Sequence, residues 1–206
     1  MNITRIQLGP LETNCWVVDD ALGGPALVID PADDAGEIVR ILSGRDVAAI
    51  VLTHGHFDHL GGAGALVAAA GAPLLVHEAD AAGITSPSGT GGAIFGFDHF
   101  APPADRTLVS GDTVSAGAVS LEVLHTPGHT PGGICLLGGG HLFSGDTLFA
   151  GSVGRTDFPG GDGRALKDSI VRVLAPLPDD TIVHPGHGPG TTIGRERAVN
   201  PFFPRA

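Results

Sequence analysis

No segment of the 206-residue chain approaches the roughly 20 consecutive apolar residues that a membrane-crossing helix needs, so no membrane partner is expected. Met1 to Pro10 has no basic patch leading into an apolar stretch, so no signal peptide is read there and the cytoplasm is the expected compartment. Basic residues are scarce: 11 Lys and Arg stand against 22 Asp and Glu, a net charge of −11 that repels a phosphate backbone and argues against nucleic acid as a partner. Only Cys15 and Cys135 occur, each inside an apolar segment, which predicts two buried reduced thiols rather than a disulfide or a Cys-based metal site. The sequence also contains no low-complexity linker. Its 33 Gly and 16 Pro fall mostly between apolar segments, where they serve as turn residues joining many short elements.

What remains is a chain of 42% apolar residues, long enough to close one core, and one domain over residues 1–206 is expected. Short β-rich runs occur at Ile3 to Leu8, Cys15 to Val18, Ala26 to Ile29 and Val47 to Leu52. Asp33 or Asp34 can cap a helix running to about Leu42, with Gly44 as its stop, and His59 to Ala70 is predicted as a second helix leading to a strand at Leu74 to His77. Gly83 to Asp105 reads as a long structured loop, because Phe95, Phe97 and Phe100 would seldom sit in a purely solvated one. Strands are predicted at Val119 to Leu124, Gly133 to Leu137, His141 to Phe143 and Thr181 to Val183, with a helix from about Ala165 to Leu174. Val51 to Gly62 faintly resembles Val123 to Gly133, each passing from a strand into a His-bearing loop.

The chemistry concentrates in Thr53-His54-Gly55-His56-Phe57-Asp58-His59, where His54, His56, Asp58 and His59 follow directly on a buried-looking strand. Neutral imidazole and carboxylate suit zinc, iron and manganese, and the loop allows His54 and His56 to face one point while Asp58 and His59 face another, so two adjacent metals are implied. The segment HGHFDH resembles the HxHxDH signature of the metallo-β-lactamase superfamily. The family's other motifs are matched in order by Leu27-Val28-Ile29-Asp30-Pro31, Thr126-Pro127-Gly128-His129, Ser144-Gly145-Asp146-Thr147 and Pro185-Gly186-His187-Gly188.

This resemblance implies an α/β fold, the αββα four-layer sandwich. It implies that His54, His56 and His129 hold one metal, Asp58, His59 and His187 the other, and that Asp146 bridges them, with Asp30 supporting the ligand loop through hydrogen bonds. Ser110-Gly111-Asp112-Thr113 repeats the Asp146 string, but Asp112 lies in a polar turn whereas Asp146 follows Leu142-Phe143, and Asp146 is chosen as the ligand. His184 is left structural, and His77, His99, His125 and His141 match no ligand position.

Two divalent ions, zinc foremost with iron or manganese as alternatives, would share a hydroxide at neutral pH and make the protein a hydrolase, with Asp58 orienting water or accepting a proton. Leu148 to Gly161 is most similar to short bacterial glyoxalase II-like proteins, which implies a small-molecule thioester such as S-lactoylglutathione as substrate. The helical C-terminal glutathione-binding region of full-length glyoxalase II is expected to be lacking. The chain contains no tyrosine to match that family's substrate contacts, and Arg155 stands near the place of its glutathione-contacting lysine. A mononuclear iron persulfide dioxygenase and a non-catalytic metal-binding homologue are the alternatives. Lactonases with an active-site tyrosine and β-lactamases rank behind them.

Overall fold

Alternation along the strands explains the architecture of the computed structural model, which describes residues 1–204. Successive side chains of a strand point to opposite faces. Cys15 and Val17 therefore enter one apolar cluster while Trp16 and Val18 enter another, and Val28 and Ile50 are separated in the same way from Leu27, Ile29 and Val51. A strand buried on both faces must lie in the middle of a layered fold.

The first sheet runs in chain order through β1 (Asn2–Leu8), β2 (Thr13–Asp19), β3 (Ala26–Ile29), β4 (Val47–Val51), β5 (Leu74–His77) and β6 (Arg106–Leu108). Its first pairings are antiparallel, and β3 to β6 are parallel. Parallel neighbours need crossovers. These are α1 (Ala35–Leu42), between β3 and β4, and α2 (Phe57–Leu60) with α3 (Ala63–Ala70), between β4 and β5.

The second half supplies β7 (Thr113–Ala116), β8 (Val119–His125), β9 (Ile134–Gly138), β10 (His141–Gly145), the short pair β11 (Leu148–Phe149) and β12 (Ser152–Val153), then β13 (Ile182–Pro185) and β14 (Thr191–Thr192). The second sheet has the order β14-β13-β10-β9-β8-β7. The helix α4 (Gly163–Ser169) is capped by Asp162, which accepts from the Arg164 and Ala165 amides, and it widens into a π-helical turn over Ile170–Leu174. The last helix is α5 (Ile193–Val199).

Three apolar clusters separate four layers. Ile38, Leu42 and Leu66 pack helices on the first sheet; Leu27, Val51, Leu121 and Phe143 fill the space between the sheets; Leu166, Ile170 and Ile193 pack against Leu142 and Val183 of the second sheet. This is the αββα sandwich. Cys15 and Cys135 are free and buried, and burial pushes the Cys135 thiol up to about 11, which leaves it unreactive. No helix among the described residues is long and apolar enough to cross a membrane.

Four boundaries differ from the sequence reading. The helix expected from His59 to Ala70 breaks at Gly61 and Gly62, where a Cβ would lie 2.5 Å from the Ala32 carbonyl and 2.6 Å from that of Asp33, respectively, so the chain turns there against the loop after β3. The helix expected to stop at Gly44 is instead closed by Ser43, at φ 51°, whose amide reaches the Val39 and Arg40 carbonyls. The helix expected to begin near Ala165 starts two residues earlier, after its Asp162 cap, and the strand expected from Thr181 runs from Ile182 to Pro185. Short or polar edge elements, β6, β7, β14 and α5, carry too little periodic pattern to be read. The ring of Phe143, fully buried between the sheets, sets a clear expectation. Phe143→Ala should cost about 3–5 kcal/mol, measured as a lower denaturation midpoint with an unchanged slope.

Candidate metal centre

Every candidate ligand lies just past a strand end, and the four strands deliver them to one rim. His54 follows β4, His129 lies in the loop between β8 and β9, Asp146 follows β10, and His187 follows β13. Between the sheets, β3 and β4 lie against β7. A backbone hydrogen bond ties the two sheets at the rim: the Ile134 amide donates to the Thr53 carbonyl at 2.9 Å.

Three groups of donor atoms each converge within 4.8 Å: His54, His56 and His129; His54, His59 and Asp146; and Asp58, His59 and His187. Asp146 spans the set, with Oδ1 3.3 Å from His59 Nε2 and Oδ2 3.6 Å from His129 Nε2 and 3.7 Å from His187 Nε2. All seven residues read from the sequence therefore share one cluster. The rival Asp112 lies elsewhere, ion-paired to Arg106 at 3.2 Å in a turn.

The direction of each imidazole is set from behind. Asp30, buried and at φ 52°, accepts from the Thr53 amide and hydroxyl, both at 2.7 Å, and from His59 Nδ1 at 2.9 Å. Because the Thr53 hydrogen is spent on Asp30, the Thr53 oxygen must accept from His54 Nδ1 at 3.0 Å. The Arg155 carbonyl accepts from His129 Nδ1 at 2.7 Å, and the Leu11 carbonyl from His187 Nδ1 at 3.1 Å. Four histidines thereby commit Nδ1 as a donor to the surrounding protein and turn Nε2 inward.

Two of the inward-facing atoms lack partners of their own, while His129 Nε2 meets His56 Nδ1 at 2.8 Å. His54 Nε2 and Asp146 Oδ1 are buried with no hydrogen-bond partner, and unpaired buried polar atoms are costly. His59 Nε2 and His187 Nε2 face each other at 3.3 Å, an arrangement that two neutral rings holding their protons on Nδ1 would resist unless a cation lay beside them. The donor set, imidazole nitrogens and carboxylates around buried orphan atoms, fits divalent metal ions.

Charge divides the cluster. Burial holds His54 well below the usual histidine value, and burial with the neighbouring His129 takes His56 down to about 4, so both rings stay neutral and available. On the other side burial opposes charge, yet Asp146 and Asp58 raise His59 well above its ordinary value, and Asp58 and Asp146 raise His187. Burial likewise opposes the ionisation of Asp58 and Asp146, but His59 leads the groups that hold both carboxyls below the ordinary range. Cation-favouring chemistry is therefore built into this side.

Two observations add to the sequence reading. Asp80, not singled out in the sequence, is buried and ties the two ligand loops together: it accepts from the Gly55 amide at 2.9 Å, the Thr130 hydroxyl at 2.7 Å and the Gly132 amide at 2.7 Å. A Cβ at Gly132 would lie 2.5 Å from the Asp80 carboxyl carbon, so glycine is required there. The only sequence signal was an acid just past a strand that ends at the same rim. Second, the Arg155 guanidinium is already engaged, gripped in two bonds by Asp157 at 2.6 and 2.7 Å and lying 3.8 Å over the Phe158 ring. The cavity beside the cluster is about 480 Å³ and includes Phe95 and Phe97 from the long loop. His184 is structural, donating to or accepting from His141 at 2.9 Å and stacked on Phe143.

The model of the Metallo-beta-lactamase superfamily matches residues 8–187. A protein called hydroxyacylglutathione hydrolase GloC, from Haemophilus influenzae, is 36% identical over 222 residues, covering 98% of each chain. The solved structure of BLEG-1, described as a B3 metallo-beta-lactamase, has a TM-score of 0.91 at 38% identity and covers 98% of this chain and 99% of its own. That of TTHA1623, described as in a di-iron-bound form, has a TM-score of 0.86 at 40% identity, covering 97% of this chain and 100% of its own.

Three substitutions separate the roles. Asp146→Ala should strip bound metal while Asp112→Ala leaves metal content unchanged, read by elemental analysis of the purified variants; the reverse would reassign the duplicated string. Asp80→Asn turns an amide donor toward one of three donors and should weaken metal binding about ten- to a hundredfold, measured by competition with a chromogenic chelator.

Proposed function

Because the chain belongs to the metallo-β-lactamase superfamily, we propose that it is a metal-dependent hydrolase that cleaves a thioester such as S-lactoylglutathione. The observation that carries this reading is the inward set of imidazole nitrogens and carboxylates, in which the rings of His54, His59, His129 and His187 are each aimed by a hydrogen bond at the far side. In it, His54, His56 and His129 hold one divalent ion, Asp58, His59 and His187 a second, and Asp146 stands between them. Zinc is the first candidate and iron the second; the di-iron form of TTHA1623 supports a paired site of this kind. Ions so held supply Lewis acidity, lowering the pKa of water and polarising a carbonyl.

The chain's own residues do the rest. Asp58, kept ionised by His59 and His187 beside it, orients the attacking water and accepts its proton. Thr13 donates to Asp58 Oδ2 at 3.4 Å and keeps that carboxylate directed into the cavity. In the reaction a bond forms between the water oxygen and the acyl carbon, the carbon–sulfur bond breaks, and the thiolate leaves with the electron pair and takes up the proton. Arg155 borders the cavity and meets the substrate with the face of its guanidinium turned away from Phe158, because Asp157 already takes two of its N–H groups. The catalytic unit is residues 1–206 acting as one domain on a small molecule. The name of the Haemophilus relative supports the thioester class.

A second reading, a mononuclear iron persulfide dioxygenase, draws on the His54, His59 and Asp146 group, which also offers two histidines and one carboxylate. The test is to assay the purified protein with S-lactoylglutathione, with glutathione persulfide under oxygen, and with a β-lactam, before and after chelation. Thioester cleavage that is lost on chelation and restored by zinc is expected. Oxygen uptake with the persulfide and no thioester cleavage would replace the hydrolase by the dioxygenase, and turnover of the β-lactam alone would contradict both.

A further inference from the structure

Five of the nine phenylalanines in the chain line the cavity of about 480 Å³ that opens onto the metal cluster: Phe57, Phe95, Phe97, Phe149 and Phe158. They are arranged as walls. Phe57 and Phe97 lie nearly parallel, with centroids 4.8 Å apart and planes at 23°, and Phe95 stacks on Phe57 at 5.8 Å. Phe158 stands 5.4 Å from Phe95 and meets the candidate ligand His56 edge-on at 5.6 Å, so the aromatic surface runs up to the metal cluster without a break.

Phe95 is 47% exposed, more than core packing alone requires of so large an apolar side chain. Among the described residues lining the cavity, Arg155 is the sole Lys or Arg, and its charge is matched: its guanidinium grips Asp157, whose carboxyl it holds down to about 2. A glutathione moiety brings two carboxylates and an ammonium. This wall offers those groups no free cation, in a chain whose net charge is −11.

We propose that the cavity selects thioesters bearing an uncharged aromatic or similarly flat apolar group next to the scissile carbonyl, and that the charged groups of a glutathione moiety add nothing to that selection. This rests on the hydrolase reading above. The flat group lies against the continuous surface that Phe95, Phe97 and Phe158 form together, and the thioester carbonyl then reaches the cluster at His56 and Asp58. The apolar group can belong to the acyl part or to the thiol, and the substrate series separates the two.

The experiment compares KM for S-lactoylglutathione, for the lactoyl thioester of benzyl mercaptan and for phenylacetylglutathione. The aryl-bearing substrate that fits should show a KM at least about tenfold lower than lactoylglutathione, the value expected for partial burial of one ring. Phe95→Ala, at a half-exposed position where the fold does not depend on the ring, should narrow that ratio. A second readout needs neither metal nor turnover: the uncharged fluorescent arylamine N-phenyl-1-naphthylamine should bind the chelator-stripped protein and bind more weakly to Phe95→Ala. The lowest KM for lactoylglutathione, with the arylamine unbound, would overturn the inference and leave the hydrolase reading standing. Arylamine binding that Phe95→Ala weakens, with no thioester cleaved, would support the aromatic site and overturn the hydrolase reading instead.

Discussion

The carboxylate of Asp30 fixes the directions of two imidazoles that come from different places in the ligand loop. It takes His59 directly and His54 through the Thr53 hydroxyl, and it holds the Thr53 amide at the point where β4 ends. A buried carboxylate satisfied by three donors is stable, whereas one left with none costs several kcal/mol. The positive φ of Asp30, uncommon for a residue with a side chain, is part of this arrangement: the backbone adopts it so that the carboxylate can turn under the loop. With Nδ1 committed on both rings, each Nε2 is exposed to the centre, and the need for a cation follows from the protein's own hydrogen bonds.

The surrounding fold serves this constraint. Two sheets, each buried on both faces along its central strands, are rigid enough to hold four loops from β4, β8, β10 and β13 at one rim. Glycine is used where loops must nearly touch. At Gly186 a Cβ would lie 2.3 Å from Asp146 Oδ1 and 2.6 Å from His59 Cε1, so the His187 loop can close on the cluster only without a side chain there. Asp80 does for the His54 and His129 loops what Asp30 does within the first, using a carboxylate as a shared acceptor.

The central strands were legible in the sequence because burial on both faces leaves unbroken apolar runs, as at Ala26 to Ile29 and Leu74 to His77. The edge strand Arg106–Leu108 was not, since it has one buried residue and its pairing partner is set only by the fold. Spacing identified the histidine cluster, and the apolar approach through Leu142 and Phe143 separated Asp146 from its duplicate at Asp112. Asp80 escaped notice because a hydrogen-bonding carboxylate has no motif; its role exists only once Gly55, Thr130 and Gly132 are brought around it. Arg155 shows the converse. Its position was readable, but its charge state toward a ligand was not, because Asp157 two residues on folds back to occupy it.

The central claim, that hydrogen bonds behind four imidazoles aim a cluster of seven ligands at a pair of cations, is tested most directly by anomalous diffraction from crystals of the metal-loaded protein. The account predicts two separate metal peaks, one among His54, His56 and His129 and the other among Asp58, His59 and His187, with Asp146 reaching both. A single peak held by His54, His59 and Asp146 alone, or rings flipped so that Nδ1 of His54 and His59 faces the metal, would contradict it.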